Sequence, residues 1–305
     1  MKRAIYPGSF DPVTNGRFNG DGMQALSGQW SAVQKILVGV LTVAVCANQP
    51  LEGSQRQVSQ AGLSLRYASA YFEEPHITIE PKTVADSTPR PFQFFIPPSG
   101  QRVVSLKSKR SRMIHGNGYY YPSYNVIFVT PLQESTIDEF AKKDLSENTK
   151  VLDDLLSAPP INLSEWSEAR AKEQPTAGRW VPDYPYRNAA PFLLAKFKVV
   201  STTWGRGCRY LTYYRNGRAG YGAVNDELFY NFQGITKDRA FYISARLAIT
   251  HPSLPETMDD PVAAMNETDD EFRAEHDRVD RWTDKSFFPP LAILDAMLMS
   301  IEMTK

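Results

Sequence analysis

The chain has 305 residues, of which 42% are hydrophobic and 12% aromatic, and this apolar content is sufficient for a folded core. Lysine and arginine number 34, aspartate and glutamate also number 34, and the formal net charge is therefore zero. Because the chain has no net positive charge to attract polyanions, we expect no nucleic-acid partner and no direct attraction to an anionic membrane.

The first 22 residues contain an isolated motif. They begin MKRAIYPGSFDPVTNGR, in which a short expected strand at residues 3–6 runs into a loop of Pro, Gly, Ser and Asp. The stretch resembles the N-terminus of bacterial phosphopantetheine adenylyltransferases. In that family a T-x-G-H motif follows the loop, and its histidine and helix N-terminus stabilise charge on the transferred phosphate. The resemblance implies nucleotide contacts at Ser9, Phe10, Thr14 and Arg17.

The sequence departs from that family immediately afterwards. Arg17 replaces the histidine, and glycines at 20, 22 and 28 disfavour the helix that should follow. The family's second signature, I-S-S-T-x-x-R, has no counterpart in the chain. We therefore interpret residues 1–22 as a stray segment without ATP binding, and a pantetheine-phosphate adenylyltransferase-like nucleotidyltransferase is the alternative function.

Residues 23–47 have the pattern of a signal peptide. Lys35 is followed by apolar or small residues at 36–47, a run too short to span a bilayer. Cleavage after Ala47 would start the mature protein at Asn48, whereas lipidation would occur at Cys46. A buried strand or helix is the alternative interpretation of the same run. Export predicts an extracytoplasmic protein, whether secreted, periplasmic or on the cell surface, that meets a membrane only through its leader or a lipid anchor.

The remaining chain is predicted to form one domain at residues 62–305, after a polar linker at 48–61. Apolar residues alternate in several stretches, which indicates strands at 62–67, 76–80, 91–97, 102–107, 124–131, 192–200, 208–214, 227–234 and 240–250. The last four predict an antiparallel meander.

Two segments have helical spacing instead. Leucines at 145, 152, 155 and 156 predict a helix that ends before Pro159, and leucines at 291, 294 and 298 predict a terminal helix that packs on the sheet. Residues 161–191 are interpreted as a long ordered loop or an insertion. Residues 256–285 are interpreted as a polar, acidic segment, for which a helix from Val262 with little apolar face is the alternative. The predicted fold class is α+β: an antiparallel sheet flanked by two principal helices and preceded by a signal-peptide-like helix.

Residues 62–305 resemble a family of exported bacterial proteins of unknown function. The resemblance rests on RYLT at 209–212, ELFY at 227–230, FQG at 232–234 and HPSLP at 251–255, with LAILDAMLMSI near the end. Its G-hydrophobic-S start at Gly62 is distantly similar to Mog1/PsbP-like domains. The family has no known catalytic residues, so the resemblance implies none here.

The sequence contains no pattern typical of a catalytic or metal centre. The four histidines lie far apart, and there is no H-E-x-x-H, G-x-S-x-G or Walker motif. His251 is interpreted as holding a strand end rather than as a general base. Cys208 lies between arginines that would favour a reactive thiolate, but we interpret it as a buried strand residue. We expect no catalytic residue, no metal and no cofactor.

Clusters of tyrosine with glycine and asparagine provide the remaining candidate contacts. Rigid amphipathic rings suit carbohydrate or peptide binding, and they equally well pack the face of a sheet. The surface candidates are Tyr119, Tyr120, Tyr121, Tyr124 and Tyr213. These features favour a non-catalytic binding or envelope-associated protein whose partner would be a cell-envelope component, a peptide or a glycan.

Overall fold

The computed structural model describes residues 55–79, 100–109, 125–133, 139–160, 162–173, 180–185, 190–215, 222–256 and 269–303. The chain divides into two units at residues 1–50 and 51–305, and every described residue belongs to the second. The stray segment, the leader, Cys46, the strand expected at 91–97 and Tyr119, Tyr120, Tyr121 and Tyr124 lie outside the described residues. So do Ser9, Phe10, Thr14 and Arg17.

The described residues form a mixed α+β domain, as predicted. Its strands are β1 (Gln55–Gln60), β2 (Leu63–Ala68), β3 (His76–Ile79), β4 (Arg102–Ser105), β5 (Asn125–Pro131), β6 (Ala190–Pro191), β7 (Ala195–Ser201), β8 (Gly205–Thr212), β9 (Tyr214–Arg215), β10 (Phe229–Thr236), β11 (Phe241–Ala248) and β12 (Glu302–Met303). Its helices are α1 (Glu139–Ser157), α2 (Leu163–Glu173), α3 (Asp269–Arg281) and α4 (Leu291–Met299).

Seven strands form the main sheet in the order β3-β4-β5-β11-β10-β8-β7. Every neighbouring pair is antiparallel. The order leaves β3 and β7 at the two edges of the sheet. A smaller sheet has the order β1-β2-β12, and β6 pairs with β9.

Alternation along the central strands supplies a buried face on each side of the main sheet. Tyr230 and Phe232 of β10 join one core, which α4 and β2 complete, whereas Ile235 joins a second core with α1. We name these the α4-side core and the α1-side core. The terminal helix packs on the sheet as predicted, because Leu291 and Leu294 are fully buried in the α4-side core. Each such leucine contributes about 1.5–3 kcal/mol through its burial.

Two parts of the sequence interpretation were wrong. Residues 55–60 belong to β1, which pairs with β2 along its whole length, so the fold begins before Gly62 rather than after a linker. Residues 161–191 include helix α2, where a loop or insertion was expected. Helix α3 lies in the acidic segment at 256–285, where a helix from Val262 was the alternative. The side chains of β1 are mostly exposed, and Leu163 is the buried residue identified in α2, so neither element has the apolar period that identifies it in a sequence. The described residues thus contain two α-helices besides the two principal helices that were predicted. None of these helices combines the length and apolar character needed to cross a membrane.

Candidate functional site

The edge strand β7 contains a bulge centred on Lys196. Its pairing with β8 changes register between Ala195 and Lys198, and the φ angle of Lys196 is 56°. This left-handed conformation costs a residue with a side chain on the order of 1–2 kcal/mol. Side chains stabilise it from both sides: the Lys196 N–H donates to Oδ1 of Asp280, and its carbonyl accepts from Nη1 of Arg209 at 2.9 Å. Bulges redirect side chains and are over-represented near functional sites.

A cleft of about 350 Å³ opens beside this bulge. It lies against β7, with the start of α2 and the end of α3 contributing to its lining. The lining residues are Asn162, Leu163, Leu194, Lys196, Phe197, Lys198, Arg209, Asp280 and Asp284. Asn162 also caps α2, because its Oδ1 accepts the N–H of Glu165 at 3.1 Å. The site is thus built on regular elements whose ends are held in place.

Charges of alternating sign run through the cleft, and we name them the charge row. In order they are Asp280, Lys196, Asp284, Arg209, Asp295 and Lys198. Lys196 Nζ lies 3.1 Å from Asp284 Oδ1, and Asp284 Oδ2 accepts from Arg209 Nη2. Arg209 Nε lies 3.1 Å from Asp295 Oδ1, and Lys198 Nζ donates to Asp295 Oδ2 at 2.9 Å. The carboxylate of Asp280 joins the row through the backbone N–H of Lys196 rather than through the lysine ammonium, and it also lies 3.5 Å from Nδ1 of His276. The other neighbours in the row are ion pairs, and three cations and three carboxylates give it no net charge.

The middle of the charge row is buried and its ends are open. The side chains of Arg209 and Asp295 are only 2% and 3% exposed, whereas those of Lys198 and Asp280 are each 42% exposed. Buried charges are stable only when they are paired, so the central ions serve as a fixed base. The exposed ends are the groups that a molecule in the cleft would meet.

Apolar side chains line another part of the cleft. Leu163 and Leu194 are buried members of the α1-side core, and Phe197 packs against that core while remaining partly exposed. Pockets that bind small molecules combine apolar walls with a few fixed polar groups. The cleft has both components.

Tyr230 supports the charge row from below. Its hydroxyl donates to Asp295 Oδ1 at 2.8 Å in the fully buried base of the row. Burial, and secondarily the charge of Asp295, raise the pKa of Tyr230 well above its usual value. The phenol therefore stays protonated as a donor, and its position favours orientation of Asp295 over proton transfer.

A second buried polar cluster lies on the opposite face of the main sheet. Asp183 accepts from Arg246 Nη2 at 2.8 Å, from Tyr214 at 2.8 Å and from Asn231 at 3.1 Å. Burial acts to lower the pKa of Arg246, but Asp183 and Tyr214 more than offset it and hold that pKa above its usual value. The cluster anchors residues 181–185 to the sheet, and its members satisfy one another. We assign it a structural role.

Tyr213 is not a surface residue, which corrects its interpretation as a binding candidate. Its side chain is 1% exposed, and its ring stacks on Phe192 with centroids 5.9 Å apart. The alternating positions of tyrosine in a strand sequence do not reveal which face of the strand is buried. Here Tyr213 belongs to the α4-side core. Cys208 is fully buried in β8, where burial raises the pKa of its thiol, so the protein environment keeps it unreactive.

His251 holds a chain turn, in agreement with its sequence interpretation. Its Nδ1 accepts the N–H of Ser253 at 3.2 Å, and its ring stacks on Trp282 with centroids 3.6 Å apart. Since Nδ1 is the acceptor, the neutral ring carries its proton on Nε2, which lies 2.9 Å from Ser286 Oγ. That serine donates to the Thr283 carbonyl, so the histidine does not act as a base toward it.

This arrangement predicts a loss of stability in acid. Burial, followed by the charge of Arg278, lowers the pKa of His251 below its ordinary 6.5. The folded state therefore binds fewer protons than the unfolded state, and the stabilisation present above pH 6.5 is lost as the pH falls through the folded pKa. Urea unfolding at a series of decreasing pH values should show that the free energy of unfolding falls below pH 6.5. In the His251→Gln variant this free energy should depend less steeply on pH. An unchanged slope in the variant would contradict the assignment.

The residues of the charge row were not recognised in the sequence. The one sequence feature that indicated such a site was Arg209 within the strand sequence GRGCRYL. A charged side chain on the buried face of a strand needs a buried partner of opposite charge. Among the described residues, no group of three His, Cys, Asp or Glu side chains is arranged to hold a metal ion. No protein-family model, no curated protein and no solved structure matches the chain.

Proposed function

We propose that the protein is an exported bacterial binding protein without catalytic activity, and that the cleft beside β7 is its ligand site. In this proposal the signal-peptide-like helix is the export leader, and the meander at residues 192–250 is the scaffold of the site. Envelope association follows from export, either by retention outside the cytoplasm or by lipidation of Cys46.

The observation that carries the binding proposal is the charge row with its two exposed ends. Its central ions are buried and paired, so they do not need to reorganise when a ligand arrives. Preorganised polar groups reduce the cost of binding. The bulge at Lys196 supports the same interpretation, because an unfavourable backbone conformation is maintained there by the charges that line the cleft.

A thermal-shift panel with the full-length chain tests the binding proposal. The panel contains amino acids, amines, carboxylates, monosaccharides, inorganic phosphate and ATP with Mg²⁺. A ligand present at 100 times its Kd stabilises the folded state by about 2.7 kcal/mol, so its effect on Tm is measurable. We expect one class to raise Tm in a saturable way.

Matched lysine variants locate that binding. Lys198→Ala should remove the shift, whereas Lys237→Ala, an exposed lysine in the β10–β11 turn, should retain it. The binding proposal fails if no class raises Tm or if Lys198→Ala retains the full shift. Binding of ATP that Arg17→Ala abolishes would instead support the nucleotidyltransferase alternative.

Export makes a separate prediction about the mature mass. When the chain is expressed with its own leader in a bacterial host, the intact mass should correspond to a start at Asn48, or at Cys46 with added lipid. Both outcomes follow from the apolar run at residues 36–47 behind Lys35. A mature protein that retains Met1 would contradict export.

A further inference from the structure

We propose that the ligand of the cleft is an amino-acid zwitterion with an apolar side chain. This inference rests on the proposed binding function and specifies the ligand class. It begins with the opposite signs of the two exposed ends of the charge row, Asp280 and Lys198.

Both ends have hydrogen-bonding capacity that the described contacts do not use. The ammonium of Lys198 has three hydrogens, and Asp295 accepts one of them. The carboxylate of Asp280 accepts the N–H of Lys196 through Oδ1, and its Oδ2 lies 3.5 Å from Nδ1 of His276. Lys198 therefore suits a carboxylate, and Asp280 suits an ammonium.

The sign pattern disfavours ligands with a single charge. The row contains three cations and three carboxylates, so its net charge is zero and it attracts neither ion type from a distance. An anion next to Lys198 would also lie close to Asp295, which already pairs with that ammonium, and a cation next to Asp280 would lie close to the ammonium of Lys196. A zwitterion carries both signs, and the spacing of its two charges, which is shorter in a free amino acid than in a dipeptide, decides which of them reaches both ends.

The remainder of the cleft suits a small apolar side chain. Phe197 is partly exposed and offers carbon surface in front of the buried Leu163 and Leu194, and glycine would leave that surface uncovered. The volume of about 350 Å³ lies near the lower limit for small-molecule pockets and is small for an extended polymer. The same chemistry occurs in free amino acids such as leucine and phenylalanine and in short apolar peptides.

Calorimetric titration of the full-length chain distinguishes these ligands. L-Leucine, L-phenylalanine and the dipeptide Leu-Leu are compared with glycine, with 4-methylpentanoate, which lacks the ammonium, and with 3-methylbutylamine, which lacks the carboxylate. We expect at least one of the first three to bind. The carboxylate and the amine should each bind about tenfold or more weakly, because a hydrogen bond between charged groups is lost. Glycine should also bind more weakly, because it has no apolar side chain to cover Phe197. Tighter binding of Leu-Leu identifies a peptide, and tighter binding of the single amino acids identifies a free amino acid.

Charge variants test whether binding uses the two ends of the row. Lys198→Gln and Asp280→Asn each remove a charge while keeping a polar side chain, and each should weaken zwitterion binding by about tenfold. Their matched controls, Lys237→Gln and Asp277→Asn, alter exposed residues outside the cleft and should leave the affinity unchanged.

The outcomes separate this inference from the proposed function. If a different class in the thermal-shift panel binds in a Lys198-dependent way and no amino acid or dipeptide does, the zwitterion inference is overturned while the binding function stands. If no class binds, both are wrong. Equal affinity for L-leucine and 4-methylpentanoate, or zwitterion binding that neither charge variant weakens, also overturns the inference.

Discussion

Arg209→Met is expected to lower the free energy of unfolding by about 3–5 kcal/mol, the usual cost of removing one partner from a buried ion pair. Arg209 is buried in β8 between the carboxylates of Asp284 and Asp295, and it also donates to the carbonyl of the strained Lys196. Methionine fills similar space but leaves Asp295 buried without its guanidinium neighbour. Urea denaturation followed by circular dichroism measures the change.

Arg206→Met is the matched control for this substitution. Arg206 belongs to the same strand but is exposed, so its replacement should change the free energy of unfolding by less than about 0.5 kcal/mol. An equally small effect of Arg209→Met would show that the charge row does not stabilise the fold.

Asp183→Ala is expected to be similarly destabilising, by about 3–5 kcal/mol, because it leaves the guanidinium of Arg246 buried without its carboxylate. The double variant Asp183→Ala/Arg246→Met should cost less than the sum of the two single variants, since neither unpaired charge then remains. The measurement is a double-mutant cycle by urea denaturation.

An exposed ion pair provides the control for this cycle. Asp153 and Arg239 are joined by two hydrogen bonds, of 3.2 and 2.7 Å, but both side chains are accessible to solvent. Asp153→Ala should therefore cost about 1 kcal/mol or less. If Asp183→Ala costs no more than Asp153→Ala, the cluster around Asp183 does not anchor residues 181–185.

Most strands of the main sheet were predictable from their apolar side chains. Strand β5 is a continuous apolar run because both of its faces are buried, whereas in β11 Ile243, Ala245 and Leu247 alternate with polar residues. The terminal helix α4 has leucines at helical spacing. Strand β1 and helix α2 were not predictable in this way. Strand β1 is stabilised by backbone hydrogen bonds with β2. Because backbone hydrogen bonds do not depend on side-chain type, the sequence of β1 shows no apolar pattern that would predict a strand.

The residues of the candidate site could not be identified from the sequence. Lys196, Arg209, Asp280 and Asp295 lie on four different elements, and only the tertiary fold brings them together. The left-handed backbone of Lys196 also has no sequence marker, because such a conformation is normally signalled by glycine or asparagine. Tyr213 failed as a surface candidate for the opposite reason: its residue type suggested binding, but its position belongs to a core.

The most direct test of the ligand site is chemical-shift mapping of the ²H,¹⁵N-labelled full-length chain during titration with L-leucine. The proposal predicts saturable shifts concentrated at Asn162, residues 194–198, Asp280 and Asp284, which surround the cleft. The same titration of Lys198→Gln should require a higher ligand concentration for equal shifts. Saturable shifts confined to residues away from the cleft, or no shift at any concentration of L-leucine, would contradict the assignment of the cleft as an amino-acid site.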